Sequence, residues 1–162
     1  MKNTALRALV LISALFTGHA MAQETVNFNL TATILPGVCR VSAANVDLGT
    51  YYATQFTGTG TTLGWVSVPI TVNNCDPLIT RVALRISGTA DASSAAYFRG
   101  VTGIGIELQR ETSLAAIVPA GTTVQYATAN GTYTLRARLR QTAASVVAGN
   151  VSSPITVAMT YN

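Results

Sequence analysis

Acidic side chains are the first candidates for chemistry in this sequence, because two close carboxylates can act as general acid and general base. There are six of them: Glu24, Asp47, Asp76, Asp91, Glu107 and Glu111. Glu107 and Glu111 share one face of the predicted strand "GIGIELQRE", where four steps of about 3.3 Å place them roughly 13 Å apart, too far for such a pair. The only histidine, His19, and the only lysine, Lys2, precede residue 23, so the remaining chain lacks Ser-His and Ser-Lys machinery. We therefore expect no enzymatic activity.

Three arginines alternate along the predicted strand "YTLRARLRQ" and form a second candidate site. On one face of such a strand Arg136, Arg138 and Arg140 stand about 7 Å apart, close to the spacing of phosphates in a nucleic acid, so anion binding is one interpretation. A solvated sheet face that discourages edge pairing is the interpretation we favour. Residues 23–162 hold eight arginines, no lysine and six carboxylates, a formal charge of +2 against +4 for the whole chain. This modest charge does not predict a nucleic-acid partner.

The two cysteines, Cys39 and Cys75, predict one disulfide if the chain is secreted. The bond would close a loop of about 37 residues, worth roughly 4 kcal/mol in the chain-entropy model. Metal binding is the competing interpretation, but two cysteines without a histidine cannot complete a tetrahedral site. The glycines of "GVTGIG" lack the strand-to-helix context of a phosphate-binding loop. We expect no metal and no cofactor.

Residues 1–22, "MKNTALRALVLISALFTGHAMA", have the three parts of a signal peptide. Lys2 and Arg7 give a positive start, an apolar stretch follows, and a small-x-small motif predicts cleavage between Ala22 and Gln23. The apolar stretch is shorter than the about 20 residues of a membrane-spanning helix, although a membrane anchor or a buried helix is the alternative. We expect a secreted chain of one domain, without membrane insertion of its mature part.

The rest of the sequence predicts an all-β protein. Alternation of apolar and polar residues, or β-rich composition, marks six segments: "TVNFNLTATI", "WVSVPITVNNC", "RVALRIS", "GIGIELQRE", "YTLRARLRQ" and "PITVAMTYN". Pro69 inside the second segment indicates a sheet edge or a bulge. Asn130-Gly131 is a strong hairpin signal. Many short strands separated by turns predict an antiparallel sandwich or barrel, and an immunoglobulin-like sandwich fits the length best.

Both ends of the mature chain carry an alternating apolar strand. The final strand presents Ile155, Val157, Met159 and Tyr161, and the leading segment presents Val26, Phe28, Leu30, Ala32 and Ile34. If the sandwich lacks a last strand, the C-terminal strand borders an open apolar groove, a hazard that proteins normally cover. The leading segment of another molecule could fill the groove by strand addition. Two ordinary core strands without exchange are the alternative.

Several motifs together resemble pilin subunits of the chaperone–usher pathway, such as those of type 1 pili. They are the signal peptide, the alternating extension before Cys39, "PGVCRVSAANVDLG", "VNNCDP", "RISGTAD", "GIGIELQ", the penultimate Tyr161, and Gly149 at the fourteenth position from the C-terminus. The resemblance covers essentially the whole mature chain.

The resemblance implies an incomplete immunoglobulin-like β-sandwich that lacks its final strand and is completed by donor-strand complementation. It implies a signal peptide at 1–22, a donor extension at 23–35 and a pilin domain at 36–162. The strand that pairs first with a periplasmic chaperone would comprise Gly149, Ile155, Val157, Met159, Tyr161 and Asn162. The donor face would be Val26, Phe28, Leu30, Ala32 and Ile34, with Ala32 where the family commonly has glycine.

The function implied is that of a structural subunit of an adhesive surface pilus, exported through the periplasm. Its partners would be a periplasmic chaperone, an outer-membrane usher and neighbouring pilin subunits. The middle segment is closer to small adaptor subunits than to the major rod subunit. The alternative is a single-domain pilin-like adhesin that binds a host receptor or glycan, with a ligand patch drawn from Tyr51, Tyr52, Tyr97 or Phe98.

Overall fold

A computed structural model describes residues 29–33 and 38–161, and within the latter range it shows two β-sheets. The strands are β1 Arg40–Ala43, β2 Val66–Asn73, β3 Val82–Gly88, β4 Phe98–Arg99, β5 Ile104–Arg110, β6 Ala116–Ile117, β7 Thr122–Tyr126, β8 Gly131–Gln141 and β9 Ile155–Tyr161. One turn of 3₁₀ helix covers Ala53–Gln55. The prediction of an all-β protein is confirmed. In the described ranges, no helix has the length and apolar character needed to cross a membrane.

The sheets have unequal size, and several of their paired strands are far apart in sequence. The large sheet has the order β1-β2-β8-β5-β4, with β6 paired to β5, and the small sheet has the order β7-β3-β9. Every pair of strands is antiparallel. Because β2 pairs with β8 and β3 pairs with β9, most sheet contacts join segments far apart in sequence. Local turn signals therefore do not fix this topology.

Alternation in the sequence becomes alternation in burial, as β8 shows most clearly. From Tyr133 to Gln141 its odd-numbered residues are buried and its even-numbered residues are half-buried. β3 buries Val82, Leu84 and Ile86 in the same manner. These inward faces pack with β2, β5, Phe98, Ile117 and Val124 to form the apolar core between the sheets. Burial of each such side chain contributes roughly 1.5–3 kcal/mol to folding.

The Asn130-Gly131 pair does not form a hairpin, so that prediction was wrong. β7 ends at Tyr126 in the small sheet and β8 begins at Gly131 in the large sheet, so the segment crosses between layers. The Asn130 side chain instead accepts a hydrogen bond from the Cys75 N–H at 3.1 Å, at the end of β2. The polar turn residue stabilises a strand end rather than a two-residue loop.

Aromatic stacking holds this crossing in place. The rings of Tyr126 and Tyr133 stack with their centroids 3.8 Å apart, and the Tyr133 hydroxyl donates to the Ala129 carbonyl at 3.1 Å. Burial raises the pKa of the Tyr126 phenol above its ordinary value of 10.0, an effect that the nearby Arg110 guanidinium opposes. The crossing thus ties the small sheet to the central strand of the large one.

Pro69 lies where β2 has a strand neighbour on one side only. This agrees with the sheet edge that was one of the two predictions for this proline. The β1–β2 ladder runs from Arg40↔Asn73 to Ala43↔Ile70, so at Pro69 only β8 pairs with β2. Proline lacks the N–H that a second neighbouring strand would need. The chain after Ala43 therefore leaves the ladder at this point.

The predicted disulfide is confirmed, because Cys39 and Cys75 join the start of β1 to the end of β2.

The interpretation of Arg136, Arg138 and Arg140 as a solvated face that discourages edge pairing was wrong. Their strand, β8, lies between β2 and β5, so these arginines cannot serve to protect a sheet edge. The side chains of Arg138 and Arg140 are 21% and 29% exposed, so the face is not freely solvated either. Glu107 and Glu111 do not share a strand, although the sequence predicts that they do. Glu107 lies in β5 and contacts these arginines, whereas Glu111 lies beyond the end of β5.

The chain divides into two units, Met1–Ile34 and Leu35–Asn162. In the first unit, the described residues 29–33 are exposed and form no strand, although the alternation in "TVNFNLTATI" predicts one. The Leu30 side chain is 88% exposed. The signal peptide, with its cleavage site at Ala22 and Gln23, lies outside the described residues and stays a prediction.

Candidate functional site: an open groove beside β9

The last strand of the small sheet has a free edge. Among the strands that the structure describes, β9 pairs only with β3, in a register from Gly88↔Ile155 to Val82↔Tyr161. The backbone N–H and C=O groups along its other edge therefore lack a strand partner. Such an edge is a template on which another strand can pair.

The apolar face of β9 is only partly covered. Val157 and Met159 are half-buried, and Ile155 and Tyr161 are 38% and 40% exposed. By contrast, the cross-strand partners of Val157, Met159 and Tyr161 are buried core residues of β3. These partners are Ile86 and Leu84 at 0% exposure and Val82 at 2%. Residues that face each other across a ladder lie on the same side of the sheet. The difference in burial therefore means that the described part of the chain does not fully cover the core-facing side of β9.

An open groove of about 1060 Å³ lies next to this face. For comparison, an engineered cavity of about 150 Å³ is large enough to bind benzene. The floor of the groove consists of inward-facing side chains of five strands: Val68, Ile70, Ile86, Ile104, Ile106, Leu108, Leu135, Ala137, Leu139 and Val157. The groove thus opens directly onto the apolar core, at the place where a further strand of the sandwich would lie.

Two irregular segments form the walls of the groove. One follows β1 from Ala43 to Phe56, and the other precedes β9 from Val146 to Pro154. The second wall is fastened to the β4–β5 turn, because the Val147 N–H donates to the Thr102 carbonyl at 3.1 Å. The walls are thus held apart, and no strand of the described residues lies between them.

The chemistry of the lining fits an apolar occupant. Among the described residues that line the groove, Asp47 is the only carboxylate; it is exposed and accepts a hydrogen bond from the Gly49 N–H at 2.9 Å. The described lining residues include no histidine, lysine or arginine. Burial of a charge without a partner is costly, so an occupant with apolar side chains and its own backbone hydrogen bonds suits this site.

The predicted groove residues lie along β9 and in the segment before it, and only some of them line the groove. Ile155 and Val157 line it, and Met159 and Tyr161 continue the same face of β9. Gly149 lies in the wall before β9, where an added Cβ would come 3.3 Å from the Val101 Cγ1. A side chain at this position would thus require the Val101 side chain to shift by a few tenths of an ångström. Asn162 lies outside the described residues, so its role stays a prediction.

The predicted donor residues are only partly described. Leu30 and Ala32 are exposed and lie outside any strand. Val26, Phe28 and Ile34 lie outside the described residues. The donor role of all five therefore stays a prediction.

Sequence reasoning did not assign the wall that follows β1. Its residues include Val46, Leu48 and Tyr51, which lack a sustained period of two. The motif "PGVCRVSAANVDLG" covers part of this wall and was the only available signal.

The four aromatic residues considered for a ligand patch differ in burial and do not form one shared surface. Phe98 is a fully buried core residue, and Tyr51 is half-buried against the core. Tyr52 is 80% exposed, and Tyr97 is half-buried beside Arg140. This distribution matches core and rim positions better than a shared binding platform.

Comparison with protein families gives a match over nearly the whole chain beyond the predicted leader. The family model described as "Fimbrial protein" matches residues 27–162. The chain is 32% identical to the S-fimbrial adhesin protein SfaS of Escherichia coli O6:K15:H31 over 96% of this chain and 98% of that protein. It is 34% identical to the type-1 fimbrial protein A chain of Salmonella typhi over 90% and 86% of the two chains.

Solved structures show the same fold at lower identity. The P pilus rod subunit PapA superimposes with a TM-score of 0.64 at 17% identity, covering 76% of this chain and 99% of that one. A subunit in a chaperone–usher pilus structure gives 0.59 at 19% identity, covering 88% and 97%. The prediction of an immunoglobulin-like sandwich of the pilin type is thereby confirmed.

Proposed function

This chain belongs to the fimbrial protein family, and on that premise we propose that it enters a surface pilus by accepting and donating a β-strand. As a member of this family it is a non-enzymatic structural subunit that assembles with other pilin subunits in surface fimbriae. The observation that carries the proposal is the uncovered apolar face of β9 beside a groove of about 1060 Å³. Donor-strand exchange supplies a strand for that place from the neighbouring subunit.

The leading segment has the dimensions and side chains that the groove requires. Its apolar residues from Val26 to Ile34 recur at every second position, so in an extended chain they point to one side over roughly 27 Å. β9 has seven residues and a length of roughly 23 Å, comparable to the donor face. Burial of the four large donor side chains at about 1.5–3 kcal/mol each yields on the order of 6–12 kcal/mol before ordering costs.

Backbone pairing adds to this affinity. The free edge of β9 can form a ladder with an incoming strand, in which each hydrogen bond contributes about 0.5–1.5 kcal/mol. The exposed Leu30 of the leading segment and the partly exposed apolar face of β9 are two apolar surfaces of the same chain. The first is suited to donate a strand and the second to accept one. A subunit with both can act as acceptor for one neighbour and as donor for another.

An open apolar groove must be covered before assembly, since exposed edges and apolar patches promote aggregation. We infer that a periplasmic chaperone occupies the groove along β9 and that an outer-membrane usher catalyses its replacement. The predicted export signal in residues 1–22 supports this order of events. Gly149, Ile155, Val157, Met159, Tyr161 and Asn162 would form the chaperone-contacting strand and its terminus.

Within the fibre, we assign the chain to a minor, adaptor-like position. The basis is the resemblance of its middle segments "RISGTAD" and "GIGIELQ" to small adaptor subunits. The test is quantitative mass spectrometry of purified fibres from cells that express the chain with an epitope in the exposed turn at Ala92 and Ser93. We expect epitope label on fibres and far fewer copies of this chain than of the most abundant subunit.

Two outcomes of that experiment would count against the account in different ways. Fibres without the chain, from cells that export it, would contradict the structural role. A copy number equal to that of the most abundant subunit would leave the structural role intact and contradict the adaptor position.

A single-domain adhesin is the second candidate function. The similarity to an S-fimbrial adhesin at 32% identity over nearly the full length of both chains favours it. Such a role requires a ligand surface away from the groove. Binding of receptor by a chain whose groove is filled would support this candidate.

A further inference from the structure

The outer face of the large sheet carries an ordered cationic surface that donor-strand exchange does not use. We call it the arginine face. It comprises Arg136, Arg138 and Arg140 of β8 with the neighbouring Trp65, Tyr97, Glu107 and Gln109. The groove opens between the sheets, whereas these residues alternate with the core residues Leu135, Ala137 and Leu139 and so point away from it.

One carboxylate serves two of the three arginines. Glu107 lies directly opposite Arg138 in the β5–β8 register and accepts from its Nε at 2.9 Å. The same Glu107 oxygen accepts from Arg140 at 3.3 Å, because Gly105, the residue opposite Arg140, has no side chain to offer. Arg136 lies opposite Gln109, which is neutral, and donates to its Oε1 at 3.0 Å. The row therefore keeps an excess of positive charge.

The guanidinium groups are held in place by aromatic rings. The Cζ atoms of Arg136 and Arg138 lie 4.3 and 4.1 Å from the centroid of Trp65, and that of Arg140 lies 5.2 Å from the centroid of Tyr97. Cations over aromatic rings at such distances are stabilised by the ring quadrupole. The side chains need little further ordering to bind a ligand, so the loss of conformational entropy on binding is small.

Most of the domain's net charge lies here. Arg99, in register with Gly105 and Arg140, extends the surface toward β4, where the buried Asp91 lies beside Gly105. With these two included, the surface holds four arginines and two carboxylates, a net charge of +2. Residues 38–161 together hold eight arginines and five carboxylates, a net charge of +3. The excess is concentrated on one sheet face.

The hydrogen bonds of the row leave donors free. A guanidinium has five N–H groups, and Arg138 and Arg140 each direct one of them to Glu107. The Nε of Arg136 has no hydrogen-bond partner within the described part of the chain, but it is buried and so is not among the donors that a ligand can reach. The remaining N–H groups of the row can form paired hydrogen bonds to planar or tetrahedral anionic groups.

We propose that the arginine face binds an acidic polysaccharide, whose carboxylate or sulfate groups are spaced along the β8 row. Arg136 and Arg140 stand about 13 Å apart on an extended strand, a distance that a few sugar residues span. The surface is a flat sheet face with side chains 21–29% exposed at Arg138 and Arg140, which suits a chain lying across it rather than a small molecule in a pocket.

A single-stranded nucleic acid fits this surface less well. Its affinity for proteins depends on aromatic rings that are free to stack with bases. The Trp65 ring already contacts two guanidinium groups, so it is not available as a stacking platform. The charge of the face therefore favours a polyanion without bases.

The test compares the binding of four polymers to the full mature chain. The chain is used in the complex in which it is recovered from cells. Isothermal titration at low salt would use heparin, polygalacturonate, neutral dextran and a single-stranded oligothymidylate. We expect heparin and polygalacturonate to bind with affinity that falls as salt rises through about 0.15 M, and dextran not to bind. Binding of heparin without polygalacturonate would assign the ligand to sulfated polysaccharides. Binding of both probes would include polysaccharides whose only acidic groups are carboxylates.

Matched variants locate the site. Arg136→Gln removes one charge without breaking the Glu107 ion pairs and should weaken heparin binding about fivefold. Arg81→Gln removes the same charge from an exposed position directly before β3 of the small sheet. This variant should change the heparin affinity less than twofold. Arg140→Gln, which leaves the Arg138–Glu107 pair intact, gives the same test if the Arg136 variant does not fold. Three results would overturn the proposal. They are equal losses of heparin affinity in Arg136→Gln and Arg81→Gln, tighter binding of the oligothymidylate than of heparin, and no binding to either acidic polysaccharide.

Discussion

The double variant Phe28→Ser/Leu30→Ser is expected to fold and to be exported, and to fail as a donor to the neighbouring subunit. Both residues belong to the predicted donor face, and Leu30 is 88% exposed in the unpaired chain. Loss of about 1.5–3 kcal/mol for each buried side chain lowers donor affinity by roughly 10²- to 10⁴-fold. The measurement is recovery of the variant in fibres, together with the subunit whose groove it should fill.

The matched control changes the opposite face of the same segment. Asn27→Ser/Asn29→Ser alters two polar residues that alternate with the donor residues, so it should leave incorporation close to that of the unchanged chain. Both double variants keep the groove beside β9 and should still accept a strand. Equal incorporation of the two would mean that the alternating pattern of residues 26–34 has no donor role.

The variant Val157→Asp is expected to lose most of the groove's affinity for a donor strand. Val157 is half-buried, lines the groove and lies opposite the fully buried Ile86. A carboxylate there would be desolvated by an incoming strand without a basic partner in the described lining. An uncompensated buried charge costs about 3–5 kcal/mol, which corresponds to a loss of at least about 100-fold in affinity. The measurement is binding of a labelled peptide of residues 23–35 to the isolated variant domain.

The adjacent position provides the control. Ala158→Asp places the same charge one residue later, on the exposed face of β9 and opposite Arg85 in the register. This change should leave peptide affinity within about threefold of the unchanged domain, because an exposed ion pair contributes only about 0–1 kcal/mol. A Val157→Thr variant keeps the shape of the side chain and should show an intermediate loss. Similar affinities for both aspartate variants would show that the occupant does not bury this face.

The core strands were predictable because their signal is local. In β3, β5, β8 and β9 the inward face follows from a period of two in the sequence itself. The same local reasoning failed at Asn130-Gly131, where turn chemistry is strong but the next strand joins the other sheet. It failed again for the arginines of β8, since a sequence does not state whether its strand is central or at an edge. Sheet order depends on contacts between distant segments.

The groove was predictable only in part for the same reason. The alternation of β9 predicts an apolar face, and the resemblance to pilins implies that this face is uncovered. The wall from Ala43 to Phe56 has no regular period, because its backbone leaves the ladder at Ala43 and follows an irregular path along the groove. The cross-strand pairing of Glu107 with two arginines was also inaccessible, since it requires the β5–β8 register and the absence of a side chain at Gly105.

Donor-strand exchange requires a sandwich that is incomplete without a strand from another molecule. The most direct measurement is equilibrium unfolding of the isolated domain, residues 36–162, with and without a synthetic peptide of residues 23–35. We expect low stability alone and an increase that grows with the logarithm of the peptide concentration, reaching about 4 kcal/mol at a thousand times the Kd. A domain that unfolds cooperatively at high denaturant by itself, with a midpoint that the peptide does not change, would contradict the account.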